Sequence, residues 1–134
     1  MIDYIVIHCS DSPQGRGDDA ATIHRWHREK QWSGIGYHYV ITEDGTLQNG
    51  RPEYWTGAHV KRHNKDTLGI CLIGVDYFTD DQFAALRPLL AKLKIRHPEV
   101  EVVGHSTLDP GRGCPNFDVQ SFLHHPELFE GRGQ

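Results

Sequence analysis

The sequence predicts an α/β fold, and three observations carry that expectation. Short β-branched and aromatic runs, Tyr4-Ile5-Val6-Ile7 and Leu68 to Ile73 among them, read as strands. Longer stretches place apolar residues at helical spacing, most clearly Phe83, Leu86, Leu89, Leu90 and Leu93. The chain has 134 residues, 37% of them hydrophobic, which is enough for one domain with one core and too little for two. No repeat, linker or low-complexity stretch divides it.

The first strand spans Tyr4 to His8, so His8 stands at its end, where a side chain emerges at a sheet edge. A helix follows from about Asp19 to Lys30, capped by Asp18 or Asp19, with Ile23, Trp26 and His27 on one face. Trp26 on that face reads as core packing. Tyr37 to Thr42 and Thr46 to Gln48 form a hairpin around Asp44-Gly45, with Tyr37 at the start of a strand, where its hydroxyl can enter a cleft. Leu68 to Ile73 is the fourth strand. The second helix begins at Thr79, with Gln82 completing a capping box. Pro88 inside it removes a backbone donor and is expected to bend or split the helix, which ends at His97-Pro98. A short strand from about Glu101 to Val103 delivers His105. A last helix around Asp118 to His125 stops at Pro126, and residues 131–134 are expected to form a disordered tail on a domain spanning 1–130.

Charge and cysteine usage exclude several functions. A net charge of −4 argues against nucleic-acid binding. Lys61-Arg62-His63 and Lys65 cluster locally, but the loop is short, lacks interleaved aromatics and runs into Asp66, so it reads as a solvated loop. Three cysteines, Cys9, Cys71 and Cys114, are an odd number at wide spacing, unlike a disulfide framework and consistent with a reducing compartment. No signal-peptide pattern precedes the first strand, and no apolar run approaches the roughly 18 residues needed to span a bilayer. A monomer, cytoplasmic in the producing cell and without membrane insertion, is the expectation. Gly34-Ile35-Gly36 opens like a dinucleotide loop but has Tyr39 where the third glycine would fall, and no P-loop occurs. Ser106 lies in no nucleophile elbow.

What remains is a set of three separated residues. His8 ends its strand, His105 follows Val102-Val103-Gly104, and Cys114 lies in the turn-forming segment Gly111-Arg112-Gly113-Cys114-Pro115. Two imidazoles and a thiolate suit zinc, and three protein ligands leave a fourth position open, as in catalytic sites. Against this stand the chain's ten histidines, since a histidine is more often a surface or hydrogen-bonded core residue than a ligand, and the absence of any close-spaced zinc signature. Cys114 as a nucleophile paired with His105 or His8 uses the same residues, and metal dependence separates the two chemistries. Cys9, next to His8 on a strand, is expected to point to the opposite face and stay off that metal.

Five blocks then resemble, in order, the zinc-dependent type 2 N-acetylmuramoyl-L-alanine amidases, and most closely their short phage lysozyme-type members. They are Val6-Ile7-His8-Cys9-Ser10; Ile23-His24-Arg25-Trp26-His27; Gly36-Tyr37-His38-Tyr39-Val40-Ile41 with Asp44-Gly45-Thr46; Gly57-Ala58-His59 with Asn64; and Gly104-His105 leading to Cys114-Pro115-Asn116-Phe117-Asp118. The resemblance runs nearly end to end. It implies a central mixed β-sheet flanked by helices, as in peptidoglycan-recognition folds, with peptidoglycan as substrate. It also implies that His8, His105 and Cys114 hold Zn2+ and that Tyr37 hydrogen-bonds the reacting carbonyl or its oxyanion.

Two departures from the family pattern qualify the chemistry. The family's second catalytic side chain is a lysine two positions before the ligand cysteine, and here that position is Arg112. A guanidinium places charge near an oxyanion but, with a pKa above about 12, does not trade protons. Where cell-wall recycling members carry a glutamate this chain has Cys71, as phage-type members do, so the metal has to lower the pKa of its water without help from a strong base. The cations around Lys61, with His59 and Asn64, are then expected to face the carboxylates of an acidic stem peptide. A module that keeps the groove and binds without hydrolysing is the alternative expectation, favoured by Arg112 and opposed by the presence of Cys114.

Overall fold

Five strands form one mixed sheet in the order β3-β2-β4-β1-β5: β1 Tyr4–Cys9, β2 Tyr39–Ile41, β3 Leu47–Asn49, β4 Thr67–Leu72 and β5 Glu101–Gly104. The structure, a computed structural model, describes residues 1–111 and 113–129. Strands β2, β4, β1 and β5 run parallel, and β3 closes one edge antiparallel to β2. The parallel register sets Ile5 beside Leu68 and Val102, and His8 beside Cys71. Helix α1, Ala20–Glu29, is started by Asp19, whose carboxylate accepts from the Thr22 amide while the Thr22 hydroxyl reaches back to the cap.

Alternation along β1 separates the two faces of the sheet. Ile5, Ile7 and Cys9 pack with Leu68, Ile70 and Leu72 against helix α2, Asp80–Arg96, whose Phe83, Leu86, Leu89, Leu90 and Leu93 are buried. Val6 and His8 point the other way, toward α1 and the loop carrying Val60, where Val40, Cys71 and Ile73 meet Ile23 and Ile35. Trp26 packs at the margin of that cluster, as core packing requires. Cys9 therefore lies opposite His8, as strand alternation predicts.

Several boundaries differ from the expectations. Tyr37 is not in a strand, because β2 starts at Tyr39; the Arg51 amide instead donates to the Tyr37 carbonyl, fixing the segment beyond the strand end. Helix α2 is neither split nor interrupted at Pro88. The proline ring lies on the exposed side, as does Ala84 four residues earlier, so the carbonyl left without an amide partner is on the solvent side. A four-residue helix α3, His105–Leu108, follows β5 directly, which sequence reading did not anticipate. Helix α4, Val119–His124, is capped by Asp118 and followed by a 3-10 turn, Pro126–Phe129. No helix among the described residues is long and apolar enough to cross a membrane. The expected tail at 131–134 lies outside the described residues.

Candidate active site

Three chain segments meet where β1 and β5 end. His8, 1% exposed, projects from β1 onto the α1 face. His105 opens α3 as β5 terminates. Cys114 arrives on the loop after α3, which is tied back by the Ser106 amide donating to the Cys114 carbonyl at 3.0 Å. Their donor atoms all lie within 4.8 Å of one another, a group able to hold a metal ion. The Nδ1 atoms of His8 and His105 are 3.1 Å apart. Zinc–nitrogen bonds of about 2.0–2.1 Å at a tetrahedral angle put two nitrogens about 3.3–3.4 Å apart, so the pair needs little adjustment to share an ion.

Electrostatics agree with that use. Burial, helped by His59 and His105, holds His8 well below the ordinary histidine pKa, which keeps it neutral and able to donate a lone pair. The Cys9 amide donates to Cys114 Sγ at 2.7 Å, the kind of donor that stabilises a thiolate ligand. Without a cation, the hydrogen bond between the Cys114 and Cys9 thiols, together with burial, pushes the Cys114 pKa up, so a positive charge is what would deprotonate it. Cys9 itself is not among the grouped ligands.

Tyr37 stands against His8, with ring centroids 5.0 Å apart. Burial, and then the neighbouring Cys71, Cys114 and Cys9, raise its pKa well above the usual phenol value, and its hydroxyl hydrogen-bonds with the Cys71 thiol. It remains a protonated donor. His27 secures the segment before it by accepting the Gly36 amide at 2.9 Å through Nδ1. Burial, then the charges of Lys30 and Arg51, lower the His27 pKa to about 4.

A cavity of about 500 Å³ opens beside this cluster, and Tyr37, His59, Lys61, Asn64 and His105 all line it, so the structure gathers these five sequence-predicted site residues around one space. His59 Nδ1 is 2.9 Å from His8 Nε2, and Asn64 Oδ1 accepts the His59 and Val60 amides at 2.7 and 2.8 Å. Arg112 lies outside the described residues. Lys30, Trp32 and Asp109 are among the lining residues that were not predicted. Trp32 forms a wall with Lys30 Nζ 5.1 Å from its ring centre, and Asp109 Oδ2 is 3.6 Å from His105 Nε2. Asp109 stands four residues after His105, a spacing that signals contact only once α3 is known to be a helix.

Comparison with known proteins agrees with this geometry. The family model described as N-acetylmuramoyl-L-alanine amidase matches residues 1–116. The endolysin of Klebsiella phage KP32 is 35% identical over 132 residues, covering 92% of this chain and 87% of its own. Among solved structures, the N-acetylmuramoyl-L-alanine amidase LysC from Clostridium intestinale URNW superposes with a TM-score of 0.82 at 27% identity, covering 96% of this chain and 86% of that one. Drosophila PGRP-LB shares the fold, with a TM-score of 0.80 at 24% identity over 93% of this chain and 81% of its own. A mixed sheet whose β1 and β5 ends deliver two imidazoles to a thiol, matched by this family over most of its length, makes the chain a member of the N-acetylmuramoyl-L-alanine amidase family.

Proposed function

We propose that this protein is a zinc-dependent amidase of the phage lysis type. It hydrolyses the amide bond between the lactyl carbonyl of N-acetylmuramic acid and the L-alanine amine of peptidoglycan. The observation that carries the proposal is the convergence of His8, His105 and Cys114 beside the cavity that Tyr37 lines, in a chain 35% identical to a phage endolysin. When bound there, zinc supplies a Lewis acid that polarises the scissile carbonyl and lowers the pKa of the attacking water.

The protein's own groups do the rest. Tyr37, held protonated, donates its O–H to the carbonyl oxygen as negative charge develops on it. Arg112, at the family's lysine position, adds positive charge for the same oxygen and holds its proton throughout. Cys71 cannot act as a base, because burial pushes its thiol pKa well above the ordinary range. Lys61 faces the carboxylates of the stem peptide, and His59 and Asn64 shape that wall. The domain spans residues 1–130 and acts as a monomer. It is made in the cytoplasm and reaches the wall after release.

Mass spectrometry of purified peptidoglycan after incubation with zinc-loaded protein, with a chelator-treated control, tests the reading. Stem peptides beginning at L-alanine, lost with chelator, are the expected products. Intact wall in both samples, with protein bound to it, would instead establish a recognition module.

A further inference from the structure

We infer that His59 is a positioning residue that, with Thr67, fixes the ring proton of His8 on Nε2 and so presents the Nδ1 lone pair to the metal. The inference rests on the zinc reading of the site. It departs from the expectation that His59 binds substrate.

The ring protons are fixed from the outermost contact inward. Thr67 Oγ1 is 2.7 Å from the His63 carbonyl and 3.0 Å from the Asn64 carbonyl. A carbonyl only accepts, so the single hydroxyl proton of Thr67 goes to that pair. The Thr67 oxygen, 3.1 Å from His59 Nε2, is then left as an acceptor. That contact requires the His59 proton on Nε2. His59 Nδ1 is consequently bare, and at 2.9 Å it accepts from His8 Nε2. The one remaining choice on His8 is settled. Nδ1 carries no proton and faces His105.

The surroundings hold this ring in a fixed slot. A Cβ on Gly57 would stand 2.6 Å from His59 Cδ2, and one on Gly69 would stand 2.7 Å from His59 Cγ, so only glycine at both positions lets the ring lie there. His38 meets it edge-on, with ring centroids 5.8 Å apart. With both ring nitrogens engaged, His59 has no N–H left for a substrate. His105 Nε2 stands 3.6 Å from Asp109 Oδ2, a longer contact than the 2.9 Å one that joins His8 to His59.

Zinc affinity measured by chelator competition, together with ¹⁵N NMR of the histidine rings, tests the assignment. His59→Ala is expected to weaken zinc binding about 10- to 100-fold while remaining folded, the usual effect of removing a partner that orients a ligand. His59→Asn, whose Oδ1 can accept near the place of Nδ1, is expected to regain most of that loss, and Thr67→Val to show a smaller one. The rings of the wild-type protein should show His8 and His59 protonated on Nε2 both before and after zinc is added. Unchanged affinity in folded His59→Ala, or a proton on His59 Nδ1, would overturn the inference. If His59→Ala does not fold, the wild-type ring spectra decide alone. A wild-type protein that binds no zinc would overturn the metal reading itself, an outcome separate from a relay that fails while zinc still binds.

Discussion

The two faces of the sheet are built on opposite principles. On the α2 face, Ile5, Ile7, Leu68, Ile70 and Leu72 meet a helix stripe and a group of phenylalanines, Phe83, Phe117 and Phe122, whose rings pack at 5.2–6.3 Å. That face is held by non-directional burial of apolar area. On the α1 face, His8, His27 and His38 are buried, and His59 packs against His8 and His38. Their ring nitrogens are used one by one: His27 accepts the Gly36 amide, His38 accepts the Gly69 amide and contacts the Trp55 carbonyl, and His8 contacts His59. The first face can exchange one hydrocarbon for another at modest cost. The second cannot, because each imidazole is defined by the direction of a hydrogen bond.

Substitutions can break or sharpen this contrast. The largest effect is expected from Cys114→Ala, which removes the sulfur ligand. Zinc measured by mass spectrometry should fall to background and hydrolysis should stop, while the chelator-treated variant melts close to the chelator-treated wild type. Stoichiometric zinc in that variant would remove Cys114 from the ligand set. Tyr37→Phe should retain the metal and lose about 10²- to 10³-fold in kcat, the scale of a lost oxyanion donor, and an unchanged kcat would take Tyr37 out of the chemistry.

On the apolar face, Phe122→Ala should cost about 3–5 kcal/mol in a denaturant titration, with zinc affinity intact in the folded fraction. A fall in zinc affinity of comparable size would show that the faces are not independent. Gln82 is the polar exception there, fully buried, with Nε2 donating to the Ile41 and Ile73 carbonyls at 3.2 and 2.9 Å. Gln82→Leu removes both bonds, leaving the Ile41 carbonyl only the Ile73 amide at 3.0 Å, and should cost about 1–3 kcal/mol in the same titration.

The smallest effect concerns acidity. His27 has a folded pKa of about 4 against an ordinary 6.5, so between these values the unfolded chain binds more protons than the folded one. The stability His27 confers is complete above pH 6.5 and is lost as pH falls toward 4. His27→Asn, which keeps an acceptor for the Gly36 amide, should flatten the fall of Tm in that window. A parallel curve would assign the slope to the other buried imidazoles.

How much of this could be read from the chain follows the same division. The α2 stripe, the helix cap at Thr79, the cap at Asp19 as one of two candidates, and the strand runs were visible because periodicity and capping act between residues a few positions apart. Helix α3 was missed because four residues carry too little pattern, and with it went the Asp109 contact to His105. Tyr37 was assigned to a strand that begins two residues later, since alternation alone does not mark where backbone pairing starts.

Sequence by itself determined the α/β class, the two opposite faces of β1, and the residue types that suit a metal. Only the tertiary structure decided that His8 meets His105 at a separation fit for one ion, and that His59 turns its nitrogen to His8 with Thr67 behind it. The reason lies in range and direction. Hydrophobic pattern is a local, additive signal, whereas a hydrogen-bonded imidazole depends on partners 51 or 97 positions away, which only the closed sheet brings within 3.1 Å.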